Sequence, residues 1–444
     1  MLNRKNIAII GAGAAGLSAA FYLSKQKYNI TIFESAPFVG GQASTINING
    51  GLLERGYHHL FTNDYSIIQL MKDLNISNKM KWYPSKVGTY INGKIYPTTS
   101  PLDLLRFGAL PFTERIKLGL LSLRIKNIKN WEKLEGFTAN EWLEKKLGGE
   151  SYEKFWKPLL RAKFGDYFDQ IGMPWFWSKM QTRFASRKGK IPISFLNKEV
   201  LGYPDGSFET IFDHLKIYFK QNNVDLLLST PVTKIIPQEN STISLDYKKN
   251  NSHNTRNFDF VLSTTPSFIF SKLIDLPNEY LKKMNSAHYI GALVMIIELE
   301  KKLTDHYWVN IVDENIPFLG LIEHTNMLPK RLYGNKNLIY LTNYLDKDHK
   351  YFSLSNSQIF DMYLPHLKKF NEKFSENWIS NYHINSLSAA QPIIGKNYST
   401  NIPAHNTPIK NLLLANTTQI YPEDRGTNYS IRMGKEIAEK LNKT

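Results

Sequence analysis

The stretch that decides the fold is Ile7-Ala8-Ile9-Ile10-Gly11-Ala12-Gly13-Ala14-Ala15-Gly16, answered further on by Ile30-Thr31-Ile32-Phe33-Glu34-Ser35. Ile7 to Ile10 reads as a short buried parallel strand, Ala14 to Lys25 as a helix and Ile30 to Phe33 as the next strand, which together make one βαβ unit. Gly11 permits the tight turn, Gly13 lets the main chain approach a pyrophosphate, and Gly16 lets the helix pack closely on the sheet. The phosphates would meet the unpaired N–H groups and the positive end of that helix. A glycine turn alone is a weak signal, because such turns are common. Glu34 supplies the context: an acidic residue closing the second strand accepts hydrogen bonds from a ribose diol and disfavours a 2′-phosphate. The stretch therefore predicts a dinucleotide site formed by Gly11, Ala12, Gly13, Ala14, Ala15, Gly16, Glu34 and Ser35.

Further elements extend this unit. Ser207 to Phe219 has helical spacing (Phe208, Ile211, Phe212, Leu215, Phe219), and strands are expected at Val224 to Leu228, Val232 to Ile236 and Phe258 to Ser263. Asn411 to Ala415 reads as a buried strand, and about Asn428 to Leu441 as a closing helix. Residues from about 70 to 199 read as helical and rich in Trp and basic residues. Those from about 267 to 389 look mixed, with strands such as Ala292 to Leu299 and Leu338 to Asn343. The expected fold class is α/β, with a Rossmann-like domain built from discontinuous segments (1–70, 200–266 and 390–444) and a mixed α+β substrate domain (71–199 and 267–389).

Composition narrows the classes. The chain has 444 residues, 42% of them apolar, so it is long enough for two or three compact units and for burying a large ligand. The formal charge of +16 suits nucleic acid, an anionic membrane face or an acidic substrate, and equally a solvated surface. No helix-turn-helix, zinc-finger or RNP signature promotes it to a nucleic-acid footprint. The absence of cysteine excludes disulfides, thiolate metal sites, Cys-x-x-Cys redox pairs and a cysteinyl flavin link; no metal is expected. The basic, then apolar, start imitates a signal peptide, but the glycines at 11, 13 and 16 fit a strand, turn and helix instead. No run of 18 uncharged apolar residues offers a membrane span, so the expected location is the cytoplasm.

After Glu34 come Gly40-Gly41-Gln42 and then Glu54-Arg55-Gly56-Tyr57-His58-His59. This pattern resembles the large flavoprotein superfamily of amine oxidases, protoporphyrinogen oxidases and phytoene-type desaturases, with UDP-galactopyranose mutase more distant. The resemblance implies non-covalent FAD, with Gly40, Gly41 and Gln42 by its phosphates and Gly56, Tyr57 and His58 near its ring. It continues through Leu201 to Phe208 and through Thr230-Pro231-Val232-Thr233-Lys234-Ile235, which implies adenine contact by Val232. Asp259 to Pro266, with Thr264, matches the strand exit of the family. Leu412 to Asn416 followed by Asp424-Arg425-Gly426-Thr427-Asn428 resembles the closing FAD motif, with Asn416 where Asp is usual. There the resemblance implies main-chain N–H groups of residues 426–428 at the flavin's pyrimidine edge.

Two departures shape the expected activity. Amine oxidases of this kind place a Lys near the flavin from a substrate-domain strand, and Gly291 to Ile296 carries none, which favours dehydrogenation of a carbon skeleton. No second glycine fingerprint marks a separate NAD(P) domain. Candidate catalytic residues are His58 and His59, Glu323 with His324 as a base and its orienting partner, and Arg425, which could face anionic flavin or an acidic substrate. Tyr307, Trp308, Tyr344 and Tyr421 could wall a flat or apolar substrate. The expected partner is a hydrophobic small molecule: a polyisoprenoid, carotenoid-like compound or tetrapyrrole.

From Pro111 to Trp131 a basic amphipathic helix, with Ile116, Leu120, Leu123 and Ile128 on one face, either packs on its own domain or lies peripherally on the inner face of a membrane. Two other functions stay open. One is a mutase-like flavoenzyme acting on a nucleotide sugar, suggested by Gly56 to Thr62 but lacking a matching Arg and Tyr cluster. The other is a non-catalytic, flavin-stabilised membrane-associated protein.

Overall fold

The computed structural model describes residues 4–26, 28–187, 199–250 and 252–442. Its parallel sheet lies where the glycine stretch requires it. Strands Val224–Leu227, Asn29–Phe33, Asn6–Ile10, Phe260–Ser263 and Leu412–Leu414 stand in that order, every neighbouring pair parallel. Ile7, Ile9, Ile32 and Leu262 are fully buried because both faces of the sheet are covered. Helices Ala14–Ser24 and Thr427–Leu441 cover one face together. They approach so closely at Gly434 that a Cβ there would lie 2.3 Å from the Ala15 carbonyl oxygen. The other face packs on an antiparallel sheet of Val232–Pro237, Ile243–Lys249 and Ser252–Phe258, through Ile235, Leu245 and Phe258.

Two boundaries move for identifiable reasons. The helix expected from Ser207 begins at Glu209, because Ser207 has φ 76° and ends the preceding turn instead. Phe258 closes its own strand; Asp259 then binds Asn6 through both main chain and carboxylate, and the sheet strand resumes at Phe260–Ser263.

A second sheet of seven strands runs in the order Ile379–Ile393, His288–Leu299, Asn337–Asp346, Gly320–Glu323, Trp308–Ile311, Val87–Ile91 and Lys94–Pro97. The last two correct the expectation of an all-helical segment before residue 199, as does Met80–Pro84, which pairs with Val200–Pro204. The signal was legible: Asn92-Gly93, with φ 53° and 75°, is the hairpin turn whose twist matches its strands. The helices expected there follow the hairpin: Phe112–Asn127, Ala139–Leu147, Lys157–Phe164 and Met173–Ala185 share a core around Leu118, Leu143, Phe164 and Phe176. Residues 188–198, assigned by sequence to this part, lie outside the described residues.

Candidate active site

Two cavities meet between the sheets. The first, about 450 Å³, follows the carboxyl ends of the parallel strands past Gly11, Gly13, Glu34, Gly41, Val232 and Thr264. The second, about 260 Å³, is walled by Tyr57, His59, Val294, Trp308, Tyr344 and Leu387. Gln42, His58, Leu387, Arg425, Gly426 and Thr427 line both and form the junction.

The glycine turn is built for a ligand at one position and for packing at the others. A Cβ on Gly16 would come within 2.0 Å of the Gly11 carbonyl oxygen, and one on Gly11 within 2.5 Å of Thr264 Oγ1. At Gly13 a Cβ would meet only Gly41 Cα, at 3.9 Å, so the chain itself leaves that space clear. Among the described residues no side chain caps the helix that starts there, leaving its first N–H groups for a ligand. Glu34 holds the turn, accepting from the Ala12 N–H at 2.7 Å and the Ala36 N–H at 2.8 Å. The Ala12 carbonyl in turn accepts from Gly40 N, joining the two glycine loops. Ala14, Ala15, Ser35 and Gly40 line this cavity, whereas Ala12 and Gly16 lie behind it and shape it. Asn416 lines it while its side chain bonds Thr265 O, Ser267 and Thr418, an internal task.

At the junction Arg425 is held by its terminal nitrogens. Nη1 donates to Gln42 Oε1 at 3.2 Å and Nη2 to Tyr344 OH at 3.1 Å, which sends the Tyr344 proton toward Tyr57 OH at 2.8 Å. Gln42 is itself oriented by donating to Ala389 O at 2.7 Å. Arg425 Nε is buried without a partner among the described residues, a donor left for a ligand. Beyond it, Gly426 and Thr427 open the helix Thr427–Leu441, whose positive end favours negative charge at the junction. Asn428 turns its side chain elsewhere, accepting from the N–H groups of Ser66 and Ile67 at the start of helix Tyr65–Asp73.

His58, a candidate catalytic residue, lines both cavities. Its Nδ1 lies 2.7 Å from Gly56 O; a carbonyl only accepts, so Nδ1 carries the proton and Nε2 keeps a lone pair. Burial pushes its pKa down to about 4, so it is a neutral acceptor at neutral pH. His59 faces the second cavity, bonded to Tyr307 OH at 3.1 Å, and burial with nearby Lys179 and Arg183 holds it well below the usual histidine range.

The pairing of Glu323 with His324 as a catalytic base is not what the structure shows. Glu323 is fully buried and both its oxygens are taken, by Leu303 N, Thr304 N and Thr304 Oγ1. His324 Nε2 is bonded to Tyr333 OH at 2.9 Å inside the core, and neither residue lines either cavity. The two are neighbours in sequence that serve different parts of the interior. Of the proposed aromatic wall, Trp308 and Tyr344 line the cavity, Tyr307 sits behind His59, and Tyr421 packs on Trp131 and Tyr398 away from it. Sequence reading missed Lys163 and Lys179, which reach the second cavity from two helices and bind Asp424. A Lys search confined to the strand Gly291 to Ile296 could not find them.

Among known families, flavin containing amine oxidoreductase matches residues 14–422. The chain belongs to this family. Its cofactor is FAD, which fits the clear space over Gly13, the uncapped helix and the unpartnered Arg425 nitrogen. The family resemblance seen in sequence thus holds, as does the Rossmann-like fold. Relatives include a 15-cis-phytoene desaturase of Synechococcus elongatus, 27% identical over 53% of this chain and 52% of that protein. Another is a coproporphyrinogen III oxidase of Bacillus subtilis, 24% identical over 64% of this chain and 65% of that protein. The match thus spans between about half and two thirds of these relatives' length. A solved structure of a putative protoporphyrinogen oxidase from Exiguobacterium superposes with TM-score 0.76 at 16% identity, covering 99% of both chains. Reduced UDP-galactopyranose mutase superposes with TM-score 0.75 at 14% identity, covering 100% of this chain and 94% of that one. At such identities the last two show the shared fold.

Proposed function

We propose that the protein is an FAD-dependent oxidoreductase that removes hydride from a sizeable, largely apolar substrate. The observation that carries this reading is the junction: an aromatic and aliphatic cavity opens onto the dinucleotide crevice at Gln42, His58 and Arg425. When bound, FAD supplies the hydride acceptor. The chain's own contribution is to position and to desolvate. Trp308, Tyr344, Val294 and Leu387 hold an apolar skeleton and exclude water, while the His58 Nε2 lone pair offers an acceptor beside it. Arg425 and the N-terminus of helix Thr427–Leu441 favour negative charge at the junction. The names of the relatives, a phytoene desaturase and a coproporphyrinogen oxidase, support polyisoprenoid and tetrapyrrole candidates. In this reading segments 1–70, 200–266 and 390–444 form most of the flavin crevice, joined by Ile269, Leu273 and Leu387, while Tyr57 and His59 also face the substrate cavity.

Anaerobic addition of such candidates to the flavin-loaded protein tests the reading. Bleaching of the oxidised flavin band by an apolar candidate is expected. No bleaching by any of them, with turnover of a UDP-sugar after dithionite reduction, would move the protein to the mutase class.

The substrate reaches this cavity from a lipid surface in our reading. No helix among the described residues is long and apolar enough to cross a membrane. Helix Phe112–Asn127 packs inward through Leu118, Leu121 and Ile125, yet leaves Phe112, Ile116, Leu120 and Leu123 exposed in one row, with Leu102 and Leu105 exposed on the preceding helix. Ile128, expected on that row, lies past the helix end and packs against the helical core. Arg115, Lys117, Arg124 and Lys126 flank the exposed row, an arrangement suited to anionic headgroups. Cosedimentation with phosphatidylglycerol vesicles should fall when Phe112 and Leu120 become Ser. Unchanged binding would remove the row from the interaction.

A further inference from the structure

The second cavity mixes an aromatic and aliphatic wall with a cluster of charged side chains near the flavin crevice. Lys163, on helix Lys157–Phe164, and Lys179, on helix Met173–Ala185, both line it. Each places Nζ 3.0 Å from the same oxygen of Asp424, Oδ2, so the two ammonium groups lie within twice that distance of each other. The other oxygen accepts from Trp175 Nε1 at 2.9 Å and Gln391 Nε2 at 3.2 Å, which leaves Asp424 no capacity for a further cation. Asp424 is followed by Arg425, which donates to the neutral groups of Gln42 and Tyr344. Among the described residues Asp424 is thus the one carboxylate in contact with both lysines; Asp64 also lines the cavity, but burial pushes its carboxyl up to about 7, so it offsets them only in part. The remaining cation of the cavity, Arg183, has its own carboxylate, Glu199, at 3.3 Å.

Charge that is half-buried and uncompensated is costly, and like charges held together raise the cost. A substrate that was hydrocarbon throughout would desolvate these groups further and return nothing. Resting on the oxidoreductase reading above, we infer that the part of the cavity formed by Lys163 and Lys179, next to Arg425 at the flavin junction, receives a carboxylate carried by the otherwise apolar substrate. The aliphatic side chains of Leu159, Val294 and Leu387 along the same cavity take the hydrocarbon portion. The acid group fixes which end of the molecule lies toward the junction, and so which C–H bond is presented there. Lys163 and Lys179 are positioned to determine specificity.

Isothermal titration of the flavin-loaded protein with dodecanoate, its methyl ester and UDP-galactose tests this at fixed ionic strength. A hydrogen bond to a charged group corresponds to about ten- to hundred-fold in affinity. Dodecanoate should therefore bind at least ten-fold more tightly than the ester. Lys179→Met should remove most of that preference with the ester's affinity unchanged, and Lys179→Arg should keep it. Lys163→Met, on a different helix, should act as Lys179→Met does and stands in for it if that variant fails to fold. Equal affinity for acid and ester, or a preference that survives both Met variants, overturns the inference and leaves the apolar-substrate reading intact. Binding of neither lipid, or tighter binding of UDP-galactose, overturns that reading as well.

Discussion

Gly13→Ala separates the cofactor's requirement from the fold's. In the protein alone the added methyl lies 3.9 Å from its nearest neighbour, Gly41 Cα, and Gly13 has φ −76°, a value any residue adopts. The flavin-free variant should then be unchanged or more stable, by about 0.4–1 kcal/mol, because Ala restricts the unfolded chain. For a chain of this size that is a rise of no more than about 2–4 °C in midpoint. With FAD present the same methyl occupies the space left for the diphosphate. Overpacking of that kind costs about 1–3 kcal/mol, or roughly five- to 150-fold in Kd. At a cofactor concentration about 100 times the wild-type Kd, FAD stabilises the wild type by about 2.7 kcal/mol; a hundred-fold weaker variant gains only about 0.4 kcal/mol. Gly16→Ala should do the reverse, because its Cβ would lie 2.0 Å from main-chain oxygen that has no side-chain freedom to move. It should lower the midpoint with and without FAD. Thermal unfolding of both variants, with and without cofactor, gives the comparison. A Gly13→Ala protein that is less stable without FAD, or that binds FAD as the wild type does, would refute the assignment of that space to the diphosphate.

Three further outcomes follow from buried polar groups. Burial pushes the Glu54 carboxyl up from 4.5 to about 7, against hydrogen bonds from Tyr203 OH and Phe208 N. The folded state then binds the extra proton between those values, so this contribution is present in full below about pH 4.5 and is lost as pH rises through 7. The stability of the wild type relative to Glu54→Gln should fall by on the order of 3 kcal/mol across that window, as denaturant titrations would show; a pH-independent difference would be inconsistent with the shift. Glu323→Ala should cost about 2–5 kcal/mol by leaving the Leu303 and Thr304 N–H groups unpaired, while the flavin Kd and the turnover of the remaining folded enzyme stay at wild-type values. A selective loss of turnover would restore Glu323 to catalysis. Asn428→Ala should cost about 0.5–2 kcal/mol as a lost cap on helix Tyr65–Asp73, with flavin affinity retained because only main chain is left to face the crevice. A large loss of flavin affinity would place its side chain on the cofactor.

The parts legible in sequence were those in which neighbouring residues share one task. Ile7 to Gly16 predicted strand, turn and helix because the apolar run, the glycines and the following small residues all answer to one local geometry. The Asn92-Gly93 hairpin was equally local, and was missed only because the surrounding Trp and basic residues suggested helices. Lys163 and Lys179 were a different case. They sit on separate helices among other basic residues, and nothing in either neighbourhood distinguishes them; their meaning comes from Asp424, which lies more than two hundred residues away in sequence.

Glu323-His324 and Asp424-Arg425 show why clustered polar letters cannot by themselves locate a site. Both are adjacent acid and base residues beside an apolar core. Glu323 accepts three hydrogen bonds, all from a neighbouring turn, and His324 turns to a tyrosine, so the polar groups close on the protein itself. Asp424 accepts four, yet two of its donors are lysines and its neighbour is an arginine with a buried N–H unmet. Every acceptor there is satisfied and the charge is not. In a low-dielectric cavity it is this residue of positive charge, rather than the number of polar side chains, that calls for a molecule from outside. The same accounting explains why His58, neutral and donating inward to Gly56, can border both cavities without adding to that demand.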